Sequence, residues 1–165
     1  MILYPKAMFN KVSDITTEFL KQNNIKALIL DVDNTLIDIS ENLSEQTKKW
    51  AEAVKKENIK LYILSNSNKK EKVKKVAEKL GIPYEYFGKK PLKSGFLKVQ
   101  KILKEDPQNI GVIGDQIFTD IIGGNRCKMF TILVEPIKEK EMLITKWKRP
   151  IEEKIKKHYR ENKGE

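Results

Sequence analysis

The chain has 165 residues, of which 34% are charged and 39% hydrophobic, and its net charge is +10. This composition predicts a single soluble, globular domain and excludes a disordered chain. No apolar run is long enough to span a bilayer, and the single cysteine, Cys127, excludes an internal disulfide or a cysteine metal cage. The positive charge favours anionic partners such as phosphates, nucleic acid or anionic lipids, but a lysine-rich solvated surface would carry it equally well.

Strands and helices are predicted to alternate along the chain. Continuous apolar runs with β-branched residues predict buried strands at residues 25–31, 59–65 and 109–115. Shorter runs predict strands at residues 84–87 and 129–134. The spacing of apolar residues predicts helices at residues 44–58, 69–81, 94–105 and 117–127. This order predicts a three-layer α/β/α sandwich around a parallel, Rossmann-like sheet.

The two ends of the chain are predicted to be helical extensions of a core at about residues 26–135. Their apolar stripes are Met8, Val12, Ile15 and Phe19 and, in a basic helix that starts near Pro150, Trp147, Ile151, Ile155 and Tyr159. Such stripes can lie on an anionic bilayer, but packing against the rest of the protein is the favoured interpretation. The first residues lack the pattern of a signal peptide, so we expect a cytoplasmic protein.

The carboxyl ends of the predicted strands carry chemically useful groups, and parallel sheets bind ligands at that edge. The first strand ends in Asp31, with Asp33 just beyond it, and the second ends in Ser65. A loop with the letters GKKP follows the third strand, and the fourth ends in Asp115. Four consecutive strands therefore bring carboxylates, a hydroxyl and an ammonium group to one edge of the sheet.

We expect the carboxylates of Asp31, Asp33 and Asp115 to lie close together, which requires a cation or a proton to offset their repulsion. Magnesium fits, because it takes oxygen ligands and leaves room for water and phosphate. Zinc does not fit, since the only histidine, His158, is far away in the chain. Ser65 and a lysine of GKKP supply donors for phosphate oxygens, and an aspartate is the remaining candidate nucleophile.

Other phosphate and metal motifs are not supported by the sequence. The chain has no G-x-x-x-x-G-K-[ST] segment, so an NTPase of that class is not indicated. The segment DVDNTLIDISEN resembles a calcium loop, but Leu36 and Asn42 stand where an EF-hand needs glycine and glutamate. A predicted strand also precedes this segment, where an EF-hand has a helix.

Four segments resemble the ordered motifs of the haloacid dehalogenase (HAD) superfamily of phosphatases. They are DVDNTL, LYILS, KKP and GDQIFTD, and they cover residues 31–120. The resemblance implies a magnesium-dependent phosphomonoester hydrolase that works through an aspartyl-phosphate. The acid at Asp33 favours a phosphatase, because the dehalogenases of the superfamily lack it.

The resemblance also implies a role for each matching residue. Asp31 is implied to be the nucleophile and a metal ligand, and Asp33 the general acid and base, with its backbone carbonyl on the metal. Asp115 is implied to be the third metal ligand. The residues implied to bind the phosphate are Ser65, Asn66 and Lys90, and those implied to support the site are Thr35 and Asp120. Lys89 and Lys93 are neighbours that could take the place of Lys90.

The gaps from Asp31 to Ser65 and from Ser65 to Lys90 each hold one predicted helix and one strand, which leaves no room for a sizeable cap domain. The segments DVDNTLID, ILSNSN, KKPLKSGF and GDQIFTDIIGGNR are similar to the YqeG-type capless HAD phosphatases of subfamily III, which resemble phosphatidylglycerophosphate phosphatases. This narrower resemblance implies a phospholipid substrate, phosphatidylglycerophosphate, at the inner face of the membrane.

Several alternatives stay open at the level of the sequence. The same chemistry could act on a soluble phosphosugar, a phosphoprotein or a nucleic-acid end. Nucleic acid is disfavoured, because the lysines near the predicted site are not interleaved with aromatic residues. The remaining alternative is a non-catalytic binding protein on a HAD scaffold, and the presence of both Asp31 and Asp33 argues against it.

Overall fold

The computed structural model describes residues 1–137 and 148–163, so Trp147 of the predicted C-terminal stripe lies outside the described residues. Six parallel strands form one sheet in the order β1-β6-β5-β2-β3-β4. They are β1 (Ala7–Phe9), β2 (Ala27–Leu30), β3 (Lys60–Leu64), β4 (Tyr84–Glu85), β5 (Ile110–Gly114) and β6 (Phe130–Val134). The parallel α/β sheet predicted from the alternating pattern is confirmed.

Six α-helices accompany the sheet in the described residues. They are α1 (Thr17–Gln22), α2 (Glu45–Lys56), α3 (Lys70–Leu80), α4 (Lys93–Leu103), α5 (Ile122–Arg126) and α6 (Lys148–Lys163). Helix α2 begins where the Ser44 hydroxyl accepts the backbone N–H of Thr47, at 3.1 Å. Helix α3 ends at Gly81, which takes the left-handed conformation with a φ of 64°.

Helices cover both faces of the sheet. Alternate strand residues point to opposite faces, and because the strand residues on both faces are apolar, each face packs against helices. Leu28 and Leu30 of β2 belong to one apolar cluster, which includes Trp50 of α2 and Val73 of α3. Ala27 and Ile29 belong to the opposite cluster, with residues of α4 such as Phe96. Every residue of β2 is buried, and this strand lies between β5 and β3 near the middle of the sheet.

The stretch between β2 and β4 was predicted to hold no sizeable cap domain. Residues 31–90 are described throughout, and between β2 and β4 they form α2, β3, α3 and the loops between them. No separate domain is inserted in this stretch, which agrees with the prediction of a capless protein.

The N-terminal segment departs from the helical extension predicted for it. Residues Ala7–Phe9 form strand β1 on the edge of the sheet, paired in parallel with β6. A one-turn 3-10 helix follows at Val12–Asp14, and α1 comes next. Ile15 is fully buried, and Phe19 packs against the same apolar cluster. The predicted apolar stripe is therefore divided among three elements, and it packs on the core.

Helix α6 confirms the predicted C-terminal helix, but its buried face is more polar than the predicted stripe. Ile155 packs on the small apolar cluster beside β6, whereas Ile151 is 44% exposed. Glu152 and Lys156 are almost completely buried. Among the described residues, none of the helices is both long and apolar enough to cross a bilayer.

Candidate active site

Strands β2, β3 and β5 end side by side, and their register sets the positions of the site residues. Leu30 pairs with Ile63 of β3 and with Ile113 of β5, and the backbone N–H of Asp31 donates to the carbonyl of Ile113 at 3.0 Å. Because the strands are parallel and in register, the residues that follow them meet at one edge. This is the arrangement predicted from the strand-end pattern.

Asp31, Asp115 and Asp120 form a compact group of carboxylates, which we call the acidic group. One oxygen from each side chain lies within 4.8 Å of the others. Asp115 and Asp120 are buried, while 12% of the Asp31 side chain remains exposed. The third member differs from the prediction, since Asp120 takes the place expected for the carboxylate of Asp33.

The turn after β5 explains the position of Asp120. Residues Ile117–Ile121 form a π-helical turn, and the N–H of Asp120 donates to the Gln116 carbonyl at 3.0 Å. This turn brings the Asp120 carboxylate back against Gly114, where a Cβ atom would lie only 2.2 Å from the carboxyl carbon. A side chain at position 114 would therefore displace Asp120 from the acidic group.

Lys90 is the lysine that the structure brings into the acidic group. Its Nζ donates to Oδ1 of Asp31 at 2.9 Å and to Oδ1 of Asp120 at 2.6 Å, and only 2% of its side chain is exposed. Lys89 instead lies over the ring of Phe87, 5.4 Å from the centroid, and Lys93 is exposed at the start of α4. The geometry therefore distinguishes among the three lysines left open by the sequence.

Burial and charge shift the pKa values of this pair in defined directions. Burial alone would lower the pKa of Lys90, but the carboxylates of Asp120 and Asp31 outweigh it and raise the pKa above its usual range. Burial, with the nearby charge of Asp31, raises the pKa of Asp120 to about 7 even though Lys90 opposes the change. Two carboxylates of the acidic group, those of Asp31 and Asp120, therefore share the ammonium group of Lys90.

Thr35 lies between two members of the acidic group. Its Oγ1 is 3.2 Å from Oδ1 of Asp115 and 3.4 Å from Oδ2 of Asp31, and the residue is buried. Its hydroxyl can donate one proton to either carboxylate. This contact bridges the carboxylates of Asp31 and Asp115. Thr35 therefore lies where a residue that supports the site was expected.

Asp33 is not one of the three acids whose oxygens lie within 4.8 Å of one another. Its Oδ1 accepts a hydrogen bond from the Nζ of Lys72 on α3 at 2.8 Å, and 48% of its side chain is exposed. Lys72 was not singled out from the sequence, because it is one of several lysines on a helix that looks uniformly solvated. Only the packing of α3 beside the loop after β2 shows that this lysine reaches the site.

Ser65 and Asn66 follow β3, as predicted, but the two residues make different contacts. Ser65 is buried, and its hydroxyl oxygen accepts the N–H of Ser67 at 3.1 Å. The Asn66 side chain accepts the backbone N–H of Lys90 at 2.7 Å and donates to the Lys90 carbonyl at 3.0 Å. Both ends of this amide are therefore engaged with the backbone of Lys90, an arrangement not expected from the sequence.

The acidic group suits a hard divalent cation better than a soft metal. Its three donors are all carboxylate oxygens, which are the ligands that hard divalent cations prefer. No cysteine or histidine is part of the group. The residues that would hold such a cation are Asp31, Asp115 and Asp120.

Comparison with known proteins agrees with this geometry. The model of a family described as mitochondrial PGP phosphatase matches residues 1–138. The probable phosphatase YqeG of Bacillus subtilis (strain 168) is 37% identical over 152 residues, which cover 92% of this chain and 88% of that protein. The chain belongs to this phosphatase family. It is a phosphoric monoester hydrolase of the HAD type, similar to YqeG.

Two solved structures share the fold. An uncharacterized protein from Listeria monocytogenes serotype 4b is 23% identical with a TM-score of 0.58, over 72% of this chain and 85% of that chain. A deoxy-D-mannose-octulosonate 8-phosphate phosphatase from Haemophilus influenzae, in a cobalt-bound form, is 20% identical with a TM-score of 0.50. That likeness covers 58% of this chain and 61% of the other. At these identities, both comparisons support the fold alone.

Proposed function

We propose that the protein hydrolyses phosphatidylglycerophosphate to phosphatidylglycerol and inorganic phosphate, with Asp31 as the nucleophile. The observation that carries the proposal is the acidic group with Lys90 at its centre. Asp31 is the only member of the group with appreciable exposure, so its carboxylate is the one that a phosphate ester can reach. The substrate is proposed from the matching family, whose description names a PGP phosphatase.

In the first half of the reaction, a carboxylate oxygen of Asp31 attacks phosphorus and the bond from phosphorus to the glycerol oxygen breaks. Asp33 is proposed to enter this half protonated and to donate its proton to that oxygen, since it is half-exposed, and Lys72 positions its carboxyl group. The products of this half are the free alcohol and an aspartyl-phosphate on Asp31.

In the second half, Asp33 takes a proton from water, whose oxygen attacks phosphorus. The bond from phosphorus to Asp31 then breaks, which releases inorganic phosphate and restores the carboxylate. Lys90 is proposed to orient Asp31 and to offset negative charge throughout. The Ser65 hydroxyl keeps a proton that it can donate to a phosphoryl oxygen, whereas Asn66 is proposed to position Lys90 rather than to bind phosphate.

Magnesium is the proposed cation, held by Asp31, Asp115 and Asp120. When bound, it would supply positive charge close to the phosphoryl oxygens. The backbone carbonyl of Asp33, implied as a ligand by the resemblance, stays part of this proposal. The carboxylate of Asp33 is left for proton transfer, because it is paired with Lys72 outside the acidic group.

The deciding experiment measures phosphate release from phosphatidylglycerophosphate in mixed detergent micelles, with magnesium or with excess EDTA. A soluble phosphosugar, a phosphopeptide, an oligonucleotide with a terminal phosphate and p-nitrophenyl phosphate are measured in parallel. We expect the highest kcat/KM on the lipid and loss of all activity in EDTA. A higher kcat/KM on any of the natural soluble classes would overturn the lipid assignment, and full activity in EDTA would overturn the cation.

A further inference from the structure

Three of the exposed apolar residues at the carboxyl edge of the sheet lie in one loop, while Ile39 and Ile137 lie in the segments after β2 and β6. Tyr86, Phe87 and Leu92 are 39%, 55% and 52% exposed, and all three lie between β4 and α4. The same loop contains Lys90 of the site. These side chains are therefore close in sequence to the residue that contacts the nucleophile, yet the mechanism gives them no role.

A second loop lies directly against the first. The N–H of Phe87 donates to the Ser67 carbonyl and that of Gly88 to the Ser65 carbonyl, both at 2.8 Å. The side chain of Asn66 bonds the backbone of Lys90 as well. Residues 66–70 and 86–93 thus form one continuous surface beside the acidic group, which we call the two-loop surface.

The two-loop surface is strongly basic. Its four exposed lysines are Lys69, Lys70, Lys89 and Lys93, and neither segment contains an acidic residue. The flanking acids are Glu85, which is paired with Lys98 at 3.1 Å, and Glu71. The surface therefore carries a positive potential and suits a partner with negative charge.

Two of the exposed lysines lie next to the two aromatic rings of this surface. The Nζ of Lys70 lies 6.0 Å from the centroid of Tyr86, and that of Lys89 lies 5.4 Å from the centroid of Phe87. Exposed apolar side chains surrounded by ammonium groups match the interface of an anionic bilayer, where rings enter the headgroup region and lysines contact the phosphates. These contacts differ from the expectation from the sequence that lysines near the site are not interleaved with aromatic rings. A nucleic acid could use the charge and stack bases on the rings, but it would leave the aliphatic side chain of Leu92 without a partner.

We propose that the two-loop surface docks the protein on an anionic lipid bilayer, with the entrance of the site facing the membrane. This inference rests on the proposed function for the identity of the lipid that enters the site. It places the membrane contact outside the apolar stripes at the chain ends, for which packing on the protein was the favoured interpretation. Val12 and Ile15 are buried in the core, and Ile155 packs beside β6.

The test measures sedimentation of the full-length protein with vesicles of phosphatidylcholine, alone or mixed with phosphatidylglycerol. Phe87→Asn removes a ring while keeping a residue that tolerates the local φ of 52°. Leu92→Ser removes an apolar group at the N-cap of α4, where serine is favoured. We expect each to weaken binding to the anionic vesicles about tenfold.

Lys69→Gln combined with Lys70→Gln tests the charge. At low salt we expect this variant to weaken vesicle binding about 25-fold, since each lysine near an anionic surface contributes about fivefold. Hydrolysis of p-nitrophenyl phosphate should stay unchanged in all of these variants, because none of the residues belongs to the proposed catalytic machinery.

Helix α4 offers matched controls at its other end. Ile102 is 50% exposed in the last turn of α4, close to the exposure of Leu92, but it lies toward the amino edge of the sheet. Ile102→Ser and the pair Lys101→Gln with Lys104→Asn should leave vesicle binding unchanged. An equal loss in these controls would overturn the proposal, as would a wild-type protein that binds single-stranded DNA but not anionic vesicles.

The outcome also separates this inference from the proposed function. Efficient lipid hydrolysis in micelles, with vesicle binding unaffected by Phe87→Asn and Leu92→Ser, would overturn the docking surface and leave the function intact. Vesicle binding that depends on these residues, without hydrolysis of the lipid, would support the docking surface and overturn the assigned substrate.

Discussion

Lys90 and Lys156 are both nearly inaccessible to solvent, with 2% and 1% of their side chains exposed, but their acidic partners differ. The partners of Lys90 are buried as well, since Asp31 is 12% and Asp120 only 1% exposed. The partners of Lys156 lie at the surface, where Glu135 is 32% and Glu153 is 56% exposed. Water can therefore stabilise the carboxylates around Lys156 but not those around Lys90.

This difference separates a structural ion pair from a reactive one. Lys156 links α6 to Glu135, the residue after β6, and its charge is matched by hydrated acids. Lys90 lies beside three carboxylates that have little access to water, so these charges depend on one another and on Lys90 more than on solvent. A buried group of acids of this kind is suited to a ligand or cation, which is consistent with catalysis at Lys90 and with anchoring at Lys156.

The largest expected effect comes from Asp31→Asn, which removes the proposed nucleophile and one negative charge of the acidic group. We expect kcat on p-nitrophenyl phosphate to fall by at least about 10⁴-fold, as for other single-nucleophile enzymes. The free energy of unfolding should not decrease, because repulsion within the acidic group is relieved. Phosphate release and thermal unfolding of the same preparation check both statements. Normal turnover in this variant would contradict the proposed mechanism.

Lys90→Met tests the reactive side of the comparison. Loss of the cation should lower kcat/KM by about 10²–10³-fold and destabilise the fold by about 3–5 kcal/mol, because Asp31 and Asp120 lose their partner. Urea unfolding and steady-state kinetics, measured well below the unfolding temperature, give the two quantities.

A second substitution distinguishes the catalytic loss from the structural one. Adding Asp120→Asn to Lys90→Met removes a buried carboxylate that has lost its cation, so we expect most of the stability to return. Activity should stay low, because Asp31 still lacks its lysine and the group has lost Asp120, a proposed ligand of the cation. The activity is therefore compared with that of Asp120→Asn alone, and equal activity in the single and the double variant would mean that Lys90 has a structural role only.

The sequence predicted the parts of the site that depend on strand ends. Asp31, Ser65 and Asp115 each follow an apolar strand, and parallel strands in register must bring them together. Strand β1 was not predicted, because a segment of three residues is too short to show the alternation of apolar and polar residues typical of a strand. It becomes a strand only by pairing with β6, which is distant in the sequence. The local pattern of hydrophobicity does not contain that pairing.

The contacts that escaped prediction join residues far apart in the chain. Asn66 and Lys90 are 24 residues apart, and Asp33 and Lys72 are 39 apart. Nothing near Lys72 distinguishes it from the other lysines of α3, and Lys156 lies in a similar basic helix. The partner of a charged side chain depends on which elements become neighbours, so these roles require the folded structure.

Asn66→Ala tests how the site holds Lys90 in place. The variant removes both hydrogen bonds to the Lys90 backbone but leaves the ammonium group and its carboxylates intact. We expect kcat to fall about tenfold, because the variant loses positioning energy equal to the net contribution of about one hydrogen bond. Because Asn66 is proposed to position Lys90 and not to bind phosphate, the Ki of the competitive inhibitor vanadate should change less than kcat. A larger effect on Ki than on kcat would restore the phosphate-binding role implied by the resemblance.

Lys72→Met concerns the half-exposed pair with Asp33. We expect kcat to decrease about fivefold, which corresponds to the free energy that a surface ion pair contributes. Stability should change little. Lys74, on the same helix, contacts Glu78 instead of the site, so Lys74→Met serves as the control. Equal kinetics in the two variants would show that Lys72 does not position the acid. Rate measurements at low and at high salt provide a second check, since the contribution of an exposed pair is screened by salt.

The smallest effect on activity is expected for Lys156→Met, which tests the structural side of the comparison. Methionine keeps the buried apolar stem and removes the charge, and the surface glutamates can remain hydrated without a partner. We therefore expect a loss of about 1 kcal/mol in the free energy of unfolding and unchanged kcat/KM. Urea denaturation and steady-state kinetics make the comparison with Lys90→Met direct. If Lys156→Met reduced catalysis as strongly as Lys90→Met, hydration of the partners could not be what separates the two lysines, and the burial of the acids beside Lys90 would no longer identify the reactive site.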